Sequence, residues 1–214
     1  MKFIFSKLPI FIFFALVSQT AYAELQPVVD IPKKLNKFVD DVYKMSELLT
    51  SKTPHREQWR VGGYSNEPNF FDEVSYYNNE TGKLSSIIQW ERADPEAIHS
   101  IEVKLRDKQG RVRKDFAASY LTKHRNAPIQ ALITIHYYNK NLHGFRVFDT
   151  DHTRIYDVCR GTLNGKTVNI DLDDNYGELS EALEDKKGIM SSADYLACFG
   201  GRNYDKSRLK VQLD

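Results

Sequence analysis

Six histidines and two cysteines are the side chains of this 214-residue sequence best suited to chemistry. Imidazole titrates near neutral pH, so it serves as general acid, general base or metal ligand. None of His55, His99, His124, His136, His143 and His152 makes the H-E-x-x-H or similar helical pair that places two imidazoles on one zinc ion. The densest polar stretch is Lys123-His124-Arg125-Asn126, a break between strands, and His136, His143 and Arg146 follow it. If the hairpin around Asn139–Asn141 pairs Tyr138 with Gly144, His136 lies opposite Arg146. His124, Arg125, His136, His143 and Arg146 then converge, and Arg160 is a further cation in reach.

Two chemistries suit such a cluster. In the first, Arg125, His136, Arg146 and Arg160 hold a small anion or a carboxylate-bearing ligand. In the second, a small secreted hydrolase of phosphodiester- or ribonuclease-like type uses two of His124, His136 and His143 as acid and base, with Arg125 or Arg146 on the anion. The sequence shows no nucleophile elbow, Cys/His pair or paired-carboxylate motif, so binding is preferred over catalysis. The plain alternative is a solvated polar face with histidines in its turns.

Asp171-Leu172-Asp173-Asp174-Asn175-Tyr176-Gly177 partly matches a calcium loop, with oxygen donors at its first, third and fifth positions. Tyr176 stands where the sixth-position glycine belongs, and Ala182 where the bidentate glutamate belongs. Asp149-Thr150-Asp151 is a weaker match still, so no metal or cofactor is expected. Cys159 and Cys198 have neither Cys-x-x-Cys spacing nor a histidine close in sequence, which favours one structural disulfide. Closing a loop of about 40 residues stabilises a fold by roughly 4 kcal/mol in the chain-entropy model.

The elements that position these residues are written as hairpins. Tyr77–Leu84, Leu105–Val112 and Phe148–Ile155 share one scheme of apolar residue, polar turn, Gly or Thr, base and apolar residue, and Tyr138–Phe145 is a looser copy. Glycine after Asn or Asp supplies the positive φ of short hairpin loops. Ile101, Val103 and Leu105 alternate with Glu102, Lys104 and Arg106, the period of a half-buried strand. The Asn164-Gly165 pair is a type I′ turn signal. It sets Leu163 against Lys166, Gly161 against Val168, Cys159 against Ile170 and Asp157 against Leu172, with Arg160 opposite Asn169 and diagonal to Asp171.

The expected fold is α+β and β-dominated. It is an antiparallel meander of about seven strands with an N-terminal helix and short C-terminal helices packed against it. Asp30 and Pro32 start the first helix, whose apolar side is Leu35, Phe38, Val39, Val42, Met45 and Leu49. A second helix is expected around Glu178–Lys186, and Ser191-x-x-Asp194 caps a third that carries Cys198 and ends at Gly200-Gly201. Leu209–Leu213 alternates and adds an edge strand.

Lys2 and Lys7, the apolar run Leu8–Val17 and Ala21-Tyr22-Ala23 have the form of a secretory signal peptide cleaved after Ala23. The expected organisation is therefore a leader, 1–23, and one globular domain, 24–214, in a periplasm or outside the cell. No cysteine stands at the cleavage site for a lipid, and no later segment is apolar enough to span a bilayer, so no membrane anchor is expected. Losing the leader takes two of the 30 basic residues and none of the 29 acidic ones, which leaves 28 against 29 and a net charge of −1. That balance argues against nucleic acid as a partner. Tyr76, Tyr77, Tyr137 and Tyr138 are aromatics a binding face can use, for a protein, peptide, glycan or small ligand. A structural or assembly subunit of the cell envelope is the remaining reading.

Overall fold

The computed structural model describes residues 30–122, 124, 126–173, 180–200 and 206–213. The leader expected at 1–23 lies outside the described residues, as do Arg125 and Asp174–Gly177 of the calcium-like stretch. Helix α1 (Asp30–Lys52) precedes nine strands: β1 (His55–Tyr64), β2 (Glu67–Asn78), β3 (Leu84–Glu91), β4 (Asp94–Arg106), β5 (Val112–Ser119), β6 (Gln130–Asn139), β7 (Leu142–Phe148), β8 (Arg154–Leu163) and β9 (Lys166–Asp173). Helices α2 (Ser180–Ser191) and α3 (Ala193–Phe199) follow, then a 3-10 turn at Lys206–Leu209. Every strand pairs antiparallel with its sequence neighbour, so one sheet runs β1 to β9 in chain order. Among the described residues no helix is long and apolar enough to cross a membrane.

The meander is the expected one, with two more strands than the seven read from the sequence. The missed hairpin is β1–β2. Its turn is only Ser65-Asn66, and the Gly62-Gly63 pair before it imitates a loop. These glycines are in the strand because the chain crowds itself there. A Cβ on Gly63 would lie 2.1 Å from the Glu67 carbonyl oxygen, and the β1–β2 register shifts between Gly62 and Tyr64. The C-terminal edge strand is not formed: Leu209 ends the 3-10 turn and is fully buried under α1.

Strand alternation puts one face of the sheet under the helices. Val74, Ile88, Ile101, Ala118 and Ala131 form one cross-strand row, and Val103, Phe116, Ile133 and Phe148 the next. Val39, Val42 and Met45 of α1 close over these rows, each buried side chain of that size stabilising the fold by roughly 1.5–3 kcal/mol. Ser46 and Ser86, both buried, share a 2.7 Å hydrogen bond that registers α1 on β3. A second cluster on the same face places Tyr137, Leu142, Cys159, Val168 and Leu172 beneath Tyr195, Cys198 and Phe199 of α3. The Cys159 and Cys198 sulfurs are bonded, with their Cα atoms 6.4 Å apart.

The turns follow local rules. Asn78, Asp107 and Asp149 each fold a side-chain oxygen onto backbone N–H groups two to four residues on. Gly82 and Gly110 take the left-handed position, at φ 66° and 74°. In the third copy that position belongs to His152, at φ 65°, and not to Thr153 as the shared scheme implies. Asn164 and Gly165 have φ 52° and 79°, and all four pairs expected from them are formed. Helix α3 is capped by Ser192, whose hydroxyl accepts from the Tyr195 N–H, and not by Ser191, whose hydroxyl donates to the Gly188 carbonyl of α2.

Candidate functional site

The face away from the helices carries polar side chains in cross-strand rows. No described helix packs on it. In the row Tyr138, His143, Arg160 and Asn169, neighbours on β6, β7, β8 and β9 stand directly opposite one another. The next row holds His136, Phe145, Val158 and Asp171, and the one after it Asp115, Thr134, Val147, Tyr156 and Asp173. The two histidines therefore meet in the middle of the open face.

This register corrects the sequence reading by one residue. Tyr138 pairs with His143 and not with Gly144, because only Lys140 and Asn141 form the turn, Lys140 taking the left-handed position at φ 51°. Gly144 lies in strand β7 opposite Cys159, where a Cβ would meet the Phe199 ring at 2.9 Å. A one-residue slip exchanges the two faces of a strand. Arg146 is accordingly opposite Ile135, not His136, and points under the helices.

A chain of hydrogen bonds links three side chains of the open face. The Asp115 carboxylate lies 2.6 Å from His136 Nε2, and His136 Nδ1 lies 2.9 Å from His143 Nε2. Asp115 accepts the Nε2–H of His136. A neutral His136 then offers Nδ1 as acceptor, so His143 donates through Nε2 and its own Nδ1 is left as an acceptor. Burial, and the charge on His136 beside it, lower the pKa of His143 below its ordinary 6.5. With both rings neutral, this chain of hydrogen bonds holds them in fixed tautomers.

Aromatic and cationic groups frame it. The Tyr138 ring stacks on His143 at 4.6 Å and 2°. The guanidinium groups of Arg111 and Arg113 lie 4.8 and 5.9 Å from the Tyr138 ring centroid. Arg111 is held there by Asp107, at 2.8 Å. Phe145 leans on both imidazoles, and Tyr156 meets Phe145 edge-on. Arg160 stands opposite His143, but its guanidinium is spent on Asp171 at 2.6 Å and on the Ile170 and Cys159 carbonyls. The pair with Asp171 is exposed and stabilises little, on the order of 0–1 kcal/mol.

Of His124, His136, His143 and Arg146, which were expected to converge with Arg125, only His136 and His143 touch. His124 is exposed in the β5–β6 connection, bridging to Leu121. That connection is about 20 Å from His136, which stands six residue steps along β6 from Gln130. His55 bonds to Ser85 and to the Thr53 carbonyl, and His99 is buried against Tyr64, Phe70 and Phe71. Tyr137 is not a surface aromatic: it is buried edge-on against Phe199. Asp149 organises its own turn. Among the described residues no three His, Cys, Asp or Glu side chains gather as metal ligands would.

Arg146 belongs to a different cluster, beneath α3. Its Nε lies 3.2 Å from Asp157 Oδ1, and Arg154 reaches Asp157 Oδ2 at 3.1 Å. The Tyr195 hydroxyl donates to Asp157 Oδ2 at 2.5 Å and accepts from both guanidinium groups. The Arg146 guanidinium also lies over the Phe199 ring at 4.6 Å. With the disulfide, this cluster clasps α3 to β7 and β8. The cluster holds Arg146 under α3, away from the histidine pair.

Asp115, Arg111 and Arg113 were the members the sequence reading missed. The signal for Arg113 and Asp115 was the alternation in Val112–Ser119, which sets them on the face opposite Phe116. No family model matches this chain, and comparison with curated proteins and with solved structures gives no match either.

Proposed function

We propose that the chain is an exported binding domain that takes a small anion, a carboxylate or phosphate group, on the open sheet face at His143, beside Arg111 and Arg113. The observation that carries this reading is the Asp115–His136–His143 chain on the open face, with His143 stacked on the Tyr138 ring that the Arg111 and Arg113 guanidinium groups also approach. Arg113 makes no ion pair among the described residues, so its charge is available to a ligand. A bound anion favours protonation of His143, and binding is then coupled to proton uptake. Affinity rises as pH falls. The disulfide and the leader-like first 23 residues support export.

The test is a titration with inorganic phosphate and with succinate, followed through the imidazole Cε1–H resonances at mildly acidic and at alkaline pH. The expected result is saturable movement of the His136 and His143 signals, tighter in acid, and weakened by about tenfold or more in His143→Asn or Arg113→Gln, the loss of one charge-assisted contact. No movement, or variants that bind like the parent, would overturn it. Export is checked by the intact mass of the protein from a periplasmic fraction, which should match cleavage after Ala23.

The acceptor Nδ1 of His143 also suits a general base, which keeps a hydrolase as the second reading. Among the described residues no hydroxyl or thiol is hydrogen-bonded to either imidazole, so water would be its nucleophile. Turnover of bis(p-nitrophenyl) phosphate that disappears in His136→Ala would favour it over binding.

A further inference from the structure

The sheet has two outer strands, and only β1 sets large apolar side chains among its exposed charged ones. Strand β9 exposes Lys166, Asn169 and Asp171, polar and charged groups of the kind that discourage another strand from pairing. Strand β1 runs for ten residues, pairs only with β2 among the described residues, and exposes Trp59, Val61 and Tyr64 at 59, 49 and 44 %. Its outward backbone N–H and C=O groups form a row open to a further strand.

The side chains of β1 are sorted by charge. Arg56 and Arg60 are on the open face, Arg56 over the Tyr77 ring and Arg60 paired with the buried Glu73 carboxylate at 2.6 Å. Glu57, Trp59 and Val61 are on the helix-bearing face, opposite Tyr76, Val74 and Asp72 of β2. Helix α1 packs chiefly on β3 to β6 and reaches β2 at Val74 and Tyr76, while Trp59 and Val61 of β1 stay exposed. Trp59 stacks on Trp90 at 6.1 Å and 20°, and its indole N–H donates to Glu57 at 2.9 Å. One ring face is thus backed by Trp90, and a carboxylate is fixed at the ring edge.

The surroundings are acidic. Burial raises the pKa of the Tyr76 phenol, with further upward contributions from Glu57, Tyr43 and Glu47. Burial likewise raises that of Tyr43, aided by Glu47 and Glu96. The Arg92 guanidinium pairs with Asp72 at 3.3 Å, as Arg60 of β1 does with Glu73. Electron-rich ring faces beside carboxylates attract organic cations.

We propose that the outer edge of β1 receives an extended basic peptide as a tenth strand, with a lysine or arginine side chain seated on Trp59 and paired with Glu57. Backbone hydrogen bonds to β1 hold the peptide, and alternate side chains are read by Glu57, Trp59 and Val61. A second copy of this chain fits less well. Antiparallel β1 strands related by a two-fold axis bring like faces together, so Glu57 would meet a second Glu57 margin with no cation.

The experiment uses the full chain and two fluorescein-labelled, end-blocked peptides, one of four Lys-Thr repeats and one of four Glu-Thr repeats. The two tryptophans are the only ones in the chain, so their fluorescence reports this margin directly. The lysine peptide should bind saturably, shift that fluorescence, lose affinity as salt is raised, and slow amide exchange in residues 56–63. Trp59→Ala should weaken it by about three- to tenfold and Glu57→Gln by about two- to fivefold, both folds being checked by circular dichroism. The proposal fails if the lysine peptide does not bind, if the glutamate peptide binds equally, or if both variants bind like the parent. It also fails if light scattering shows a dimer that Trp59→Ala dissociates, since a second copy is then the occupant. His143→Asn should leave peptide binding unchanged, which separates this margin from the proposed anion site.

Discussion

His136 Nδ1 and His143 Nε2 share one hydrogen bond at 2.9 Å, their rings nearly parallel at 15°. A single proton therefore serves both nitrogens. Protonating His143 places a charge in a half-buried position and next to His136, and both lower its pKa.

That arrangement makes stability depend on pH in a defined direction. The folded pKa of His143 lies below 6.5, lowered by burial and then by His136, so the unfolded chain binds this proton first. The contribution is complete above the unfolded value and is lost as pH falls through 6.5 toward the folded pKa. Urea midpoints should therefore drop between neutral and mildly acidic pH. His143→Gln should flatten that part of the profile, and an unchanged profile would count against the assignment.

Asp157 is fully buried with two guanidinium groups and the Tyr195 hydroxyl on its carboxylate. Asp157→Asn leaves two cations facing each other without an anion. The expected loss is about 3–5 kcal/mol, the cost of breaking a buried pair from one side. Tyr195→Phe removes one hydrogen-bonding hydroxyl and should cost only about 1–3 kcal/mol. Denaturant unfolding of both variants gives the order.

The Cys159–Cys198 link closes a sequence separation of 39 residues and ties α3 to β8. Cys159→Ser with Cys198→Ser should lower stability by roughly 4 kcal/mol. Amide exchange should show α3 losing protection first, because the helix has only seven residues and leans on this bond and on the Asp157 cluster. Uniform loss across the sheet would contradict that picture.

Gly144 and Phe199 form a close approach of strand and helix, 2.9 Å from a built Cβ to the ring. Gly144→Ala should destabilise by about 1–3 kcal/mol through overpacking. In a Phe199→Leu background the added methyl should cost less, and the difference measured as a double-mutant cycle should be non-zero.

Where structure is set by adjacent residues, the sequence alone determined it. Asn164-Gly165 permits a two-residue turn with left-handed φ at both positions. From that the whole β8–β9 ladder follows, including Cys159 on the buried face and Arg160 near Asp171. The apolar side of α1 and the alternation of β4 follow in the same way from periods of 3.6 and 2.

The candidate site was decided only by tertiary structure, because its members are joined by pairings and contacts that no local rule contains. Gly144 resembles a turn glycine, yet it is required by Phe199, 55 residues later, and reading it as a turn moved His136 and Arg146 to the wrong partners. Asp115 reaches His136 through the β5–β6 pairing, across a connection, 120–129, too long to fix a register. Side-chain alternation along a strand is a property of the backbone and can be read in one dimension. Which neighbour a strand takes, and at what register, depends on what packs against it from far along the chain.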